Sequence, residues 1–359
     1  MAVPLFASSL EPHHDALAER IAAVVRSGRY ILGPEVSAFE EEFASYLEVA
    51  HCVGVANGTD ALTIALRALG VRPGDEVVCP SFTFYATAEA IVNAGATPVF
   101  CDVDPATACV TRATVEAALT DRTRAIVPVH LFGNLAPIDE LRELGLPVLE
   151  DAAQAAGASL DGLRAGALGH AATFSFFPSK NLPCLGDGGA IVTDSAEVAE
   201  AARKLRFHGS ADKQTFTDVG YNSRLDSVQA AVLRVLLGEL DGWNEARRAA
   251  TAAYERHGLR EVPGLRVVEA PEGAEPVHHL FVAFHERADD LIAVLGERDV
   301  QARGYYRVPV HLQPSMREYR RELPVTDELA RTNLALPMGP DLTGEQAREV
   351  VEALREAAA

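Results

Sequence analysis

The sequence VLEDAAQ at residues 148–154 is followed by TFSFFPSKNL at residues 173–182 and by GDGG at residues 186–189. One apolar run ends in Asp151, and a second leads into a short loop that contains Lys180. A carboxylate at a strand end can keep a ring nitrogen protonated, and a partly desolvated lysine can form a Schiff base with an aldehyde. Together they indicate pyridoxal 5'-phosphate (PLP) chemistry. Taken singly, a helix-capping aspartate and a solvated lysine are the simpler interpretations.

Length, composition and charge limit the possible classes of protein. The chain has 359 residues, of which 48% are hydrophobic, and this suits one large domain with a smaller one. Its net charge of −19 argues against wide contacts with nucleic acid or an anionic membrane. The sequence contains neither a signal-peptide pattern nor an apolar run near the ~20 residues of a membrane span. We therefore expect a cytoplasmic protein.

The five cysteines are odd in number and lack CxxC spacing. Small secreted domains and zinc sites use regularly spaced cysteines, whereas cytoplasmic proteins keep buried thiols reduced. We expect these residues to be reduced core positions, with no disulfide framework and no metal site.

Short apolar runs alternate with helical patterns over the first 240 residues. The runs are mostly apolar rather than alternating, as expected for a parallel sheet that helices cover on both faces. The expected strands are residues 52–56, 77–79, 97–101, 125–129, 147–150, 172–177 and 190–193. This pattern predicts an α/β fold with a large domain at residues 1–240.

Beyond Trp243 the pattern changes. Helices are expected at residues 244–257, 288–298 and 344–357, and strands near residues 265–269, 277–285 and 300–306. We therefore predict a smaller C-terminal α+β domain at residues 241–359.

Several candidate binding residues follow the predicted strands, where open parallel sheets bind their ligands. The turn NGTD at residues 57–60 joins a strand to a helix, whose free N–H groups can hold a phosphate while Gly58 permits close approach. Phe84 can stack on a flat ring, and Ser175 can donate to a phosphate. An ordinary helix cap, a core aromatic and a strand-edge hydroxyl are the alternative interpretations.

Six motifs in order resemble the nucleotide-sugar aminotransferases of the DegT/StrS type. These are PLP-dependent enzymes of fold type I, in the aspartate aminotransferase superfamily. The resemblance covers nearly the whole chain and implies a large domain with a mostly parallel sheet between helices. The motifs are GRYILGP (28–34), NGTDAL (57–62), EDAAQ (150–154), SFFPSK (175–180), GDGG (186–189) and GYNSRLD (220–226).

The resemblance implies specific roles around the cofactor. Lys180 is the Schiff-base lysine, Asp151 pairs with the pyridinium nitrogen, and Gln154 contacts the ring oxygen. The remaining contacts are those of Gly58, Thr59 and Ser175 with the phosphate and of Phe84 with the ring face.

The resemblance also implies the partners of the reaction. Asn222 matches a residue that reaches the phosphate of the neighbouring subunit, so a homodimer with shared active sites is expected. L-Glutamate is the expected amino donor, which leaves the cofactor aminated (PMP), and a nucleotide-linked keto sugar is the acceptor. Arg29, Arg224 and Arg307 are candidates for binding the nucleotide diphosphate, and Tyr30, beside the first of them, is a further candidate for binding the substrate.

The sugar-facing segment departs from the family pattern. Tyr305, Tyr306 and Arg307 stand where many relatives carry His-Tyr-Pro. A tyrosine hydroxyl stays neutral and its ring adds apolar area, so we expect a less polar sugar than a uronic acid. The segments at residues 175–182 and 222–226 most resemble the branch of the family that forms 3-amino sugars, so the preferred substrate is a dTDP-linked 3-keto-6-deoxyhexose.

Alternative functions remain open at the level of sequence. A 4-keto sugar and a UDP-linked 3-keto (uronic) sugar are the nearest alternative substrates. A PLP/PMP-dependent sugar dehydratase of the same fold is disfavoured, since those relatives carry histidine in place of the lysine. A non-catalytic regulator is disfavoured by the joint presence of Asp151, Gln154 and Lys180.

Overall fold

A computed structural model describes residues 2–358 of the chain. The strands, in chain order, are β1 (His51–Val55), β2 (Glu76–Pro80), β3 (Thr97–Cys101), β4 (Thr123–Ile126), β5 (Leu149–Asp151), β6 (Ser159–Leu160), β7 (Leu163–Arg164), β8 (Ala171–Ser175), β9 (Gly189–Thr193), β10 (Arg266–Val267), β11 (Ala274–Glu275), β12 (Phe281–Phe284) and β13 (Asn333–Leu336).

Helices pack around these strands. In chain order they are α1 (His14–Ser27), α2 (Pro34–Leu47), α3 (Gly58–Ala68), α4 (Ala86–Asn93), α5 (Arg112–Glu116), α6 (Ile138–Arg142), α7 (Ala196–Leu205), α8 (Ser227–Leu236), α9 (Leu240–Arg256), α10 (Ala288–Glu297), α11 (Pro324–Thr332) and α12 (Gly344–Ala358). None of the helices within residues 2–358 combines the length and the apolar composition that a membrane-spanning helix requires.

The central sheet has the order β1-β9-β8-β5-β4-β2-β3. Its two halves are joined where Ile126 bridges Val148 and Val129 bridges Asp151, both in parallel. Only β9 runs against its neighbours β1 and β8. The predicted α/β fold with a mostly parallel sheet is therefore confirmed, and β1, β2, β5 and β8 end at the same edge.

Apolar side chains cover both faces of this sheet, which explains the continuous hydrophobic runs. Adjacent residues of β2 point to opposite faces. Val78 packs in a core with Phe39 and Phe43, whereas Val77 packs in a second core with Ile64. The helices are thus held on the two faces, and the carboxyl ends of the strands remain available for a site.

A third core lies under the sheet β10-β12-β13. The aromatic ring of Tyr254 stacks on that of Phe281 with 5.1 Å between ring centroids. Val3 and Ala7 of the N-terminal segment also belong to this core, and Val3 bridges Val300, whereas Leu5 packs in the first core. Helix α9 passes from one core to another, since its Leu240 packs in the large core and its later residues in the small one. The division at residues 240/241 stays a prediction.

The structure differs from expectation in the C-terminal third. The strand predicted over residues 300–306 is wrong, because Val300 and Arg303 bridge different partners and the Tyr305 N–H donates to the side chain of Asn333. These scattered contacts leave no continuous ladder. Strand β13 and helix α11 were not predicted, and α9 begins four residues before the expected start at residue 244.

Candidate active site

Asp151 ends β5 and is buried at the carboxyl edge of the sheet. Its carboxylate accepts hydrogen bonds from the Thr87 hydroxyl at 2.8 Å and from the Ala153 N–H at 3.3 Å. Burial raises the pKa of Asp151, while these two hydrogen bonds and the charge of Lys180 oppose the rise. A cation placed beside this carboxylate is therefore stabilised, as a protonated ring nitrogen would be.

Lys180 lies in the loop after β8, where its N–H donates to the Phe177 carbonyl at 2.8 Å. Burial lowers the pKa of the Lys180 ammonium to about 8, and the negative charge of Asp151 partly opposes this effect. A lysine with this pKa has a substantial neutral fraction near physiological pH. It can therefore act as a nucleophile and then as a base.

The first turn of α3 has the N–H groups that a cradle for an anion requires. The Asn57 side chain caps the helix by accepting from the Asp60 N–H at 2.8 Å, and no intrahelical acceptor exists for the N–H groups of Gly58 and Thr59. A Cβ atom on Gly58 would lie 2.8 Å from that of Ser175. The end of β8 and the start of α3 thus meet without room for a further methyl group, which suits a phosphate at a helix N-terminus.

Aromatic side chains form one wall beside this cradle. The amide oxygen of Gln154 accepts from the Phe132 N–H at 2.6 Å, and its nitrogen donates to the Tyr306 hydroxyl at 3.0 Å. The rings of Tyr306 and Phe84 lie 5.9 Å apart between centroids. Phe84 is 56% exposed, so its face is free to stack on a planar ligand.

These residues fit PLP on structural grounds. The start of α3 at Gly58 offers free N–H donors and Ser175 a hydroxyl for a phosphate, and Asp151 supplies the negative charge that stabilises a protonated pyridine. Lys180 offers the neutral amine that an aldehyde requires. The structure brings these residues, with Thr59, Phe84 and Gln154, to one edge of the sheet.

A second group of candidates lies along the segment before α8. Asn222 is exposed and its backbone pairs with Phe207, whose ring lies 5.7 Å from the Arg224 guanidinium. The Tyr30 carbonyl accepts from the Ser227 N–H at 2.8 Å, which places Arg29 and Tyr30 against the same segment. The same segment reaches the strand before α3, because the Ala56 N–H donates to the Ser223 hydroxyl at 3.1 Å.

The third group is the segment that contains Tyr305. Its ring lies 5.3 Å from the Arg303 guanidinium and 5.6 Å from the Tyr306 ring. Arg307, expected as a diphosphate ligand, instead donates to Asp289 at 2.6 Å and to the Arg331 carbonyl. Its guanidinium is therefore engaged within the small core region.

Several residues of the site were missed by reasoning from sequence. Thr87, which holds Asp151, stands among alanines on the buried side of α4, and this lone hydroxyl was the available signal. His279 is buried near Lys180. Burial lowers the pKa of His279, and the positive charge of Lys180 lowers it further. Asn181 donates to the Val277 carbonyl at 2.9 Å and so ties the lysine loop to the chain before His279. Nothing in the local sequence pattern indicated this long-range contact.

Comparisons with known proteins agree with this chemistry. The chain is similar to DesV of S. venezuelae, with a TM-score of 0.96, 45% identity and coverage of 99% of this chain and 98% of that one. It is 48% identical to the dTDP-3-amino-3,4,6-trideoxy-alpha-D-glucose transaminase of Streptomyces venezuelae, over 94% of this chain and 90% of that protein. It is 43% identical to the UDP-N-acetyl-3-dehydro-alpha-D-glucosamine 3-aminotransferase of Acidithiobacillus ferrooxidans, over 96% and 94%.

Fold, site and similarity together define a PLP-dependent aminotransferase of fold type I. More particularly, the chain belongs to the DegT/DnrJ/EryC1/StrS aminotransferase family, and the sequence pattern of that family matches residues 13–355. The family resemblance drawn from the sequence motifs is confirmed.

Proposed function

We propose that this enzyme transfers an amino group from L-glutamate to the 3-keto group of a dTDP-linked 6-deoxyhexose. The observation that carries the proposal is the 48% identity to a transaminase named for a dTDP-linked 3-amino-3,4,6-trideoxy sugar. The aromatic wall of Tyr305 and Tyr306 supports it, because apolar ring area favours a sugar that lacks a charged or hydroxylated C6.

The residues of the site have complementary roles in this reaction. PLP, when bound, accepts the electron pair that the donor carbon releases. Asp151 holds the ring nitrogen protonated, and the Thr87 hydroxyl fixes the direction of its carboxylate. Gly58, Thr59 and Ser175 hold the phosphate, Phe84 covers the ring, and Gln154 donates to the ring oxygen.

Lys180 provides both covalent attachment and proton transfer. With PLP bound, Lys180 would hold the cofactor aldehyde until the amino donor takes its place, and the freed Lys180 nitrogen would then carry a proton from the donor carbon to the cofactor carbon that holds the amine. Its lowered pKa suits a group that must alternate between neutral and protonated forms near neutral pH. In the second half-reaction, the same nitrogen moves the proton in reverse when the keto sugar has bound.

The nucleotide is expected to bind beside the segment before α8. Arg29 and Arg224 lie along this segment, and a planar guanidinium can bind a diphosphate through two parallel hydrogen bonds. Two such arginines can attract an anionic substrate locally although the whole chain carries a charge of −19. The engaged guanidinium of Arg307 makes it a weaker candidate.

A homodimer with shared active sites is part of the proposal. Large apolar side chains are exposed next to α8: Ile31 bridges Asp226 at its start, and the Leu185 N–H donates to Gln229 at 2.8 Å. Exposed apolar residues grouped in this way favour burial against a second copy. Asn222, exposed on the same segment, would then reach the phosphate held by the partner.

A cytoplasmic location is also proposed. All five cysteines are buried and unpaired, which suits a reducing compartment.

The UDP-linked 3-keto sugar is retained as a second substrate class, because the relative in Acidithiobacillus ferrooxidans is named for a UDP sugar. A dehydratase remains disfavoured by Lys180.

The proposal is tested by a screen of nucleotide-linked keto sugars. The aminated form of the enzyme is mixed with dTDP- and UDP-linked 3-keto and 4-keto sugars, and products are detected by mass spectrometry. NMR of the product then places the amine. We expect the fastest turnover with the dTDP-linked 3-keto-6-deoxy sugar, and a clear preference for a 4-keto or uronic substrate would overturn the proposal.

A further inference from the structure

We infer that Glu150 and His130 are positioning residues that fix the orientation of the Gln154 amide toward the PLP ring oxygen. The inference rests on the role of Gln154 proposed above. Glu150 precedes Asp151 on β5, so its side chain leaves the opposite face of the sheet from that of Asp151. It acts on the site through its hydrogen bonds rather than by touching the ligand.

Glu150 is fully buried and accepts four hydrogen bonds. The Gly166 N–H and the His130 Nε2 lie 2.8 Å from Oε2. The Leu168 and Gly169 N–H groups lie 3.0 and 2.6 Å from Oε1. A buried carboxylate is costly unless its lone pairs are satisfied, so a side chain with this many donors is held in one orientation.

His130 connects this carboxylate to the turn that follows β4. The Ala136 N–H donates to Nδ1 at 3.0 Å, so Nδ1 is the unprotonated ring nitrogen and Nε2 carries the proton that Glu150 accepts. The His130 N–H also donates to the Asp151 carbonyl at 3.1 Å. Both ends of the turn at residues 130–136 are thereby fixed against β5.

The turn at residues 130–136 fixes the side chain of Gln154. Phe132 is buried at its centre with φ 62°, a left-handed conformation that a bulky residue adopts only when its surroundings hold it there. In this conformation its N–H donates to Gln154 Oε1 at 2.6 Å. Because the amide oxygen is taken, Nε2 must face Tyr306, and its second hydrogen is left for the cofactor oxygen.

The orientation of this amide has a measurable consequence. A donor at the ring oxygen stabilises the negative charge that remains there when the lysine-linked cofactor loses its proton. The pH at which the visible spectrum of the holoenzyme changes is therefore kept low. If the turn loosens, the amide can rotate, the donor is lost, and this midpoint rises.

The test uses the holoenzyme and spectrophotometric pH titration. His130→Leu removes both ring nitrogens, and Gln154→Met removes the amide itself. We expect each to raise the spectral midpoint by about one pH unit, the worth of one hydrogen bond to a charged group. The double variant should rise no further than Gln154→Met alone, since both changes remove the same donor. His130→Gln retains an acceptor and a donor, so its spectral midpoint should rise less than that of His130→Leu.

A matched control comes from the small core. His285 is also buried and also joins two backbone groups, with Nε2 3.1 Å from the Pro263 carbonyl and Nδ1 accepting from the Arg287 N–H at 2.9 Å. His285→Leu should lower the thermal midpoint of unfolding but leave the spectral midpoint unchanged. Should His130→Leu fail to fold, Glu150→Gln is measured in the same way.

The outcomes separate this inference from the proposed role of Gln154. If Gln154→Met raises the spectral midpoint and the His130 and Glu150 variants do not, the positioning role is wrong while the role of Gln154 stands. If Gln154→Met leaves the midpoint unchanged, both are wrong. Additive shifts in the double variant would likewise overturn the inference, because they would mean that His130 acts on the cofactor independently.

Discussion

Gly58 and Ser175 approach so closely that a Cβ atom on Gly58 would lie 2.8 Å from that of Ser175. The contact joins the start of α3 to the end of β8, and it sets the shape of the proposed phosphate cradle. Gly58→Ala should therefore push these two elements apart. We expect the dissociation constant for PLP to rise about tenfold, in keeping with an overpacking cost of roughly 1–3 kcal/mol.

Titration of the apoenzyme with PLP, followed by absorbance, measures this effect. Gly242→Ala in α9 is the control, because a Cβ atom there would have no neighbour within 4 Å. It should leave PLP binding unchanged and stabilise the helix slightly. Equal weakening by both substitutions would contradict the cradle.

Lys180 should be the one lysine that becomes covalently linked to the cofactor. The chain has three lysines, and Lys204 is instead paired with Glu200 at 2.8 Å, while Lys213 lies over the Phe207 ring. Borohydride reduction followed by peptide mass spectrometry should label Lys180 alone. Lys180→Ala should lose the link and nearly all turnover, whereas Lys204→Ala should keep both. Label on Lys213 or Lys204 would refute the assignment.

The same lysine should make the stability of the apoenzyme depend on pH. Burial lowers the pKa of Lys180 to about 8 from its ordinary 10.5, so between these values the unfolded chain binds a proton that the folded chain does not. Stability contributed by Lys180 is then present above pH 10.5 and is lost as pH falls through about 8.

Calorimetry of apoenzyme and Lys180→Met measures this dependence. The difference in Tm, wild type minus variant, should become more positive as pH rises from 8 to 10. Lys204→Met, which removes a half-buried surface lysine paired with Glu200, should show no such trend relative to wild type. A difference that is flat with pH would show that Lys180 is not desolvated.

Asn222 should serve the neighbouring subunit. Lys180→Ala and Asn222→Ala are each expected to be nearly inactive as homodimers. In a mixed dimer one of the two sites receives an intact lysine and an intact asparagine, so mixing should restore activity up to about a quarter of wild type if half the dimers are mixed and half of their sites are intact. A mixture that stays inactive after subunit exchange would indicate that each site is built from one chain.

Tyr305→His should change sugar preference but not the reaction with glutamate. The tyrosine ring packs against Tyr306 and Arg303, and a histidine there would offer less apolar area and a titratable nitrogen. We expect the preference for the 6-deoxy sugar over its hydroxylated analogue to fall by ~1–3 kcal/mol in kcat/KM. The glutamate half-reaction, followed by the change in cofactor absorbance, should be almost unchanged. Equal loss in both half-reactions would mean that Tyr305 supports the cofactor or the fold.

The sequence predicted the strands of the large sheet well because their runs are buried on both faces. Strand β3, for example, was expected and found at residues 97–101. The same periodicity failed at residues 300–306, where the Tyr305 N–H is satisfied by the Asn333 side chain rather than by a neighbouring strand. Such a choice of partner depends on contacts that no local pattern contains.

The chemistry was predictable to a similar extent. Asp151 and Lys180 follow apolar runs that end at one edge of the sheet, so their proximity could be expected from topology alone. His130 also follows an apolar run at this edge, but its pairing with Glu150 and the contact of Thr87 with Asp151 could not be assigned in this way. The role of a buried hydroxyl, imidazole or carboxylate depends on its hydrogen-bond partner, and these partners are far apart in sequence.

The N-terminal segment packs against residues made near the end of synthesis. The Leu5 N–H donates to the Gln301 side chain across a separation of 296 residues, and Val3 and Phe6 bridge Val300 and Met338. A ribosome that has released the first 240 residues has therefore supplied every strand of the large sheet but not the residues that Val3, Leu5 and Phe6 pair with through their backbones. Val3 and Ala7, which pack in the third core, cannot be buried until the strands and helices of that core have emerged. A chaperone would bind the nascent chain before those residues emerge. A bulky N-terminal fusion would therefore slow the last folding step rather than the first.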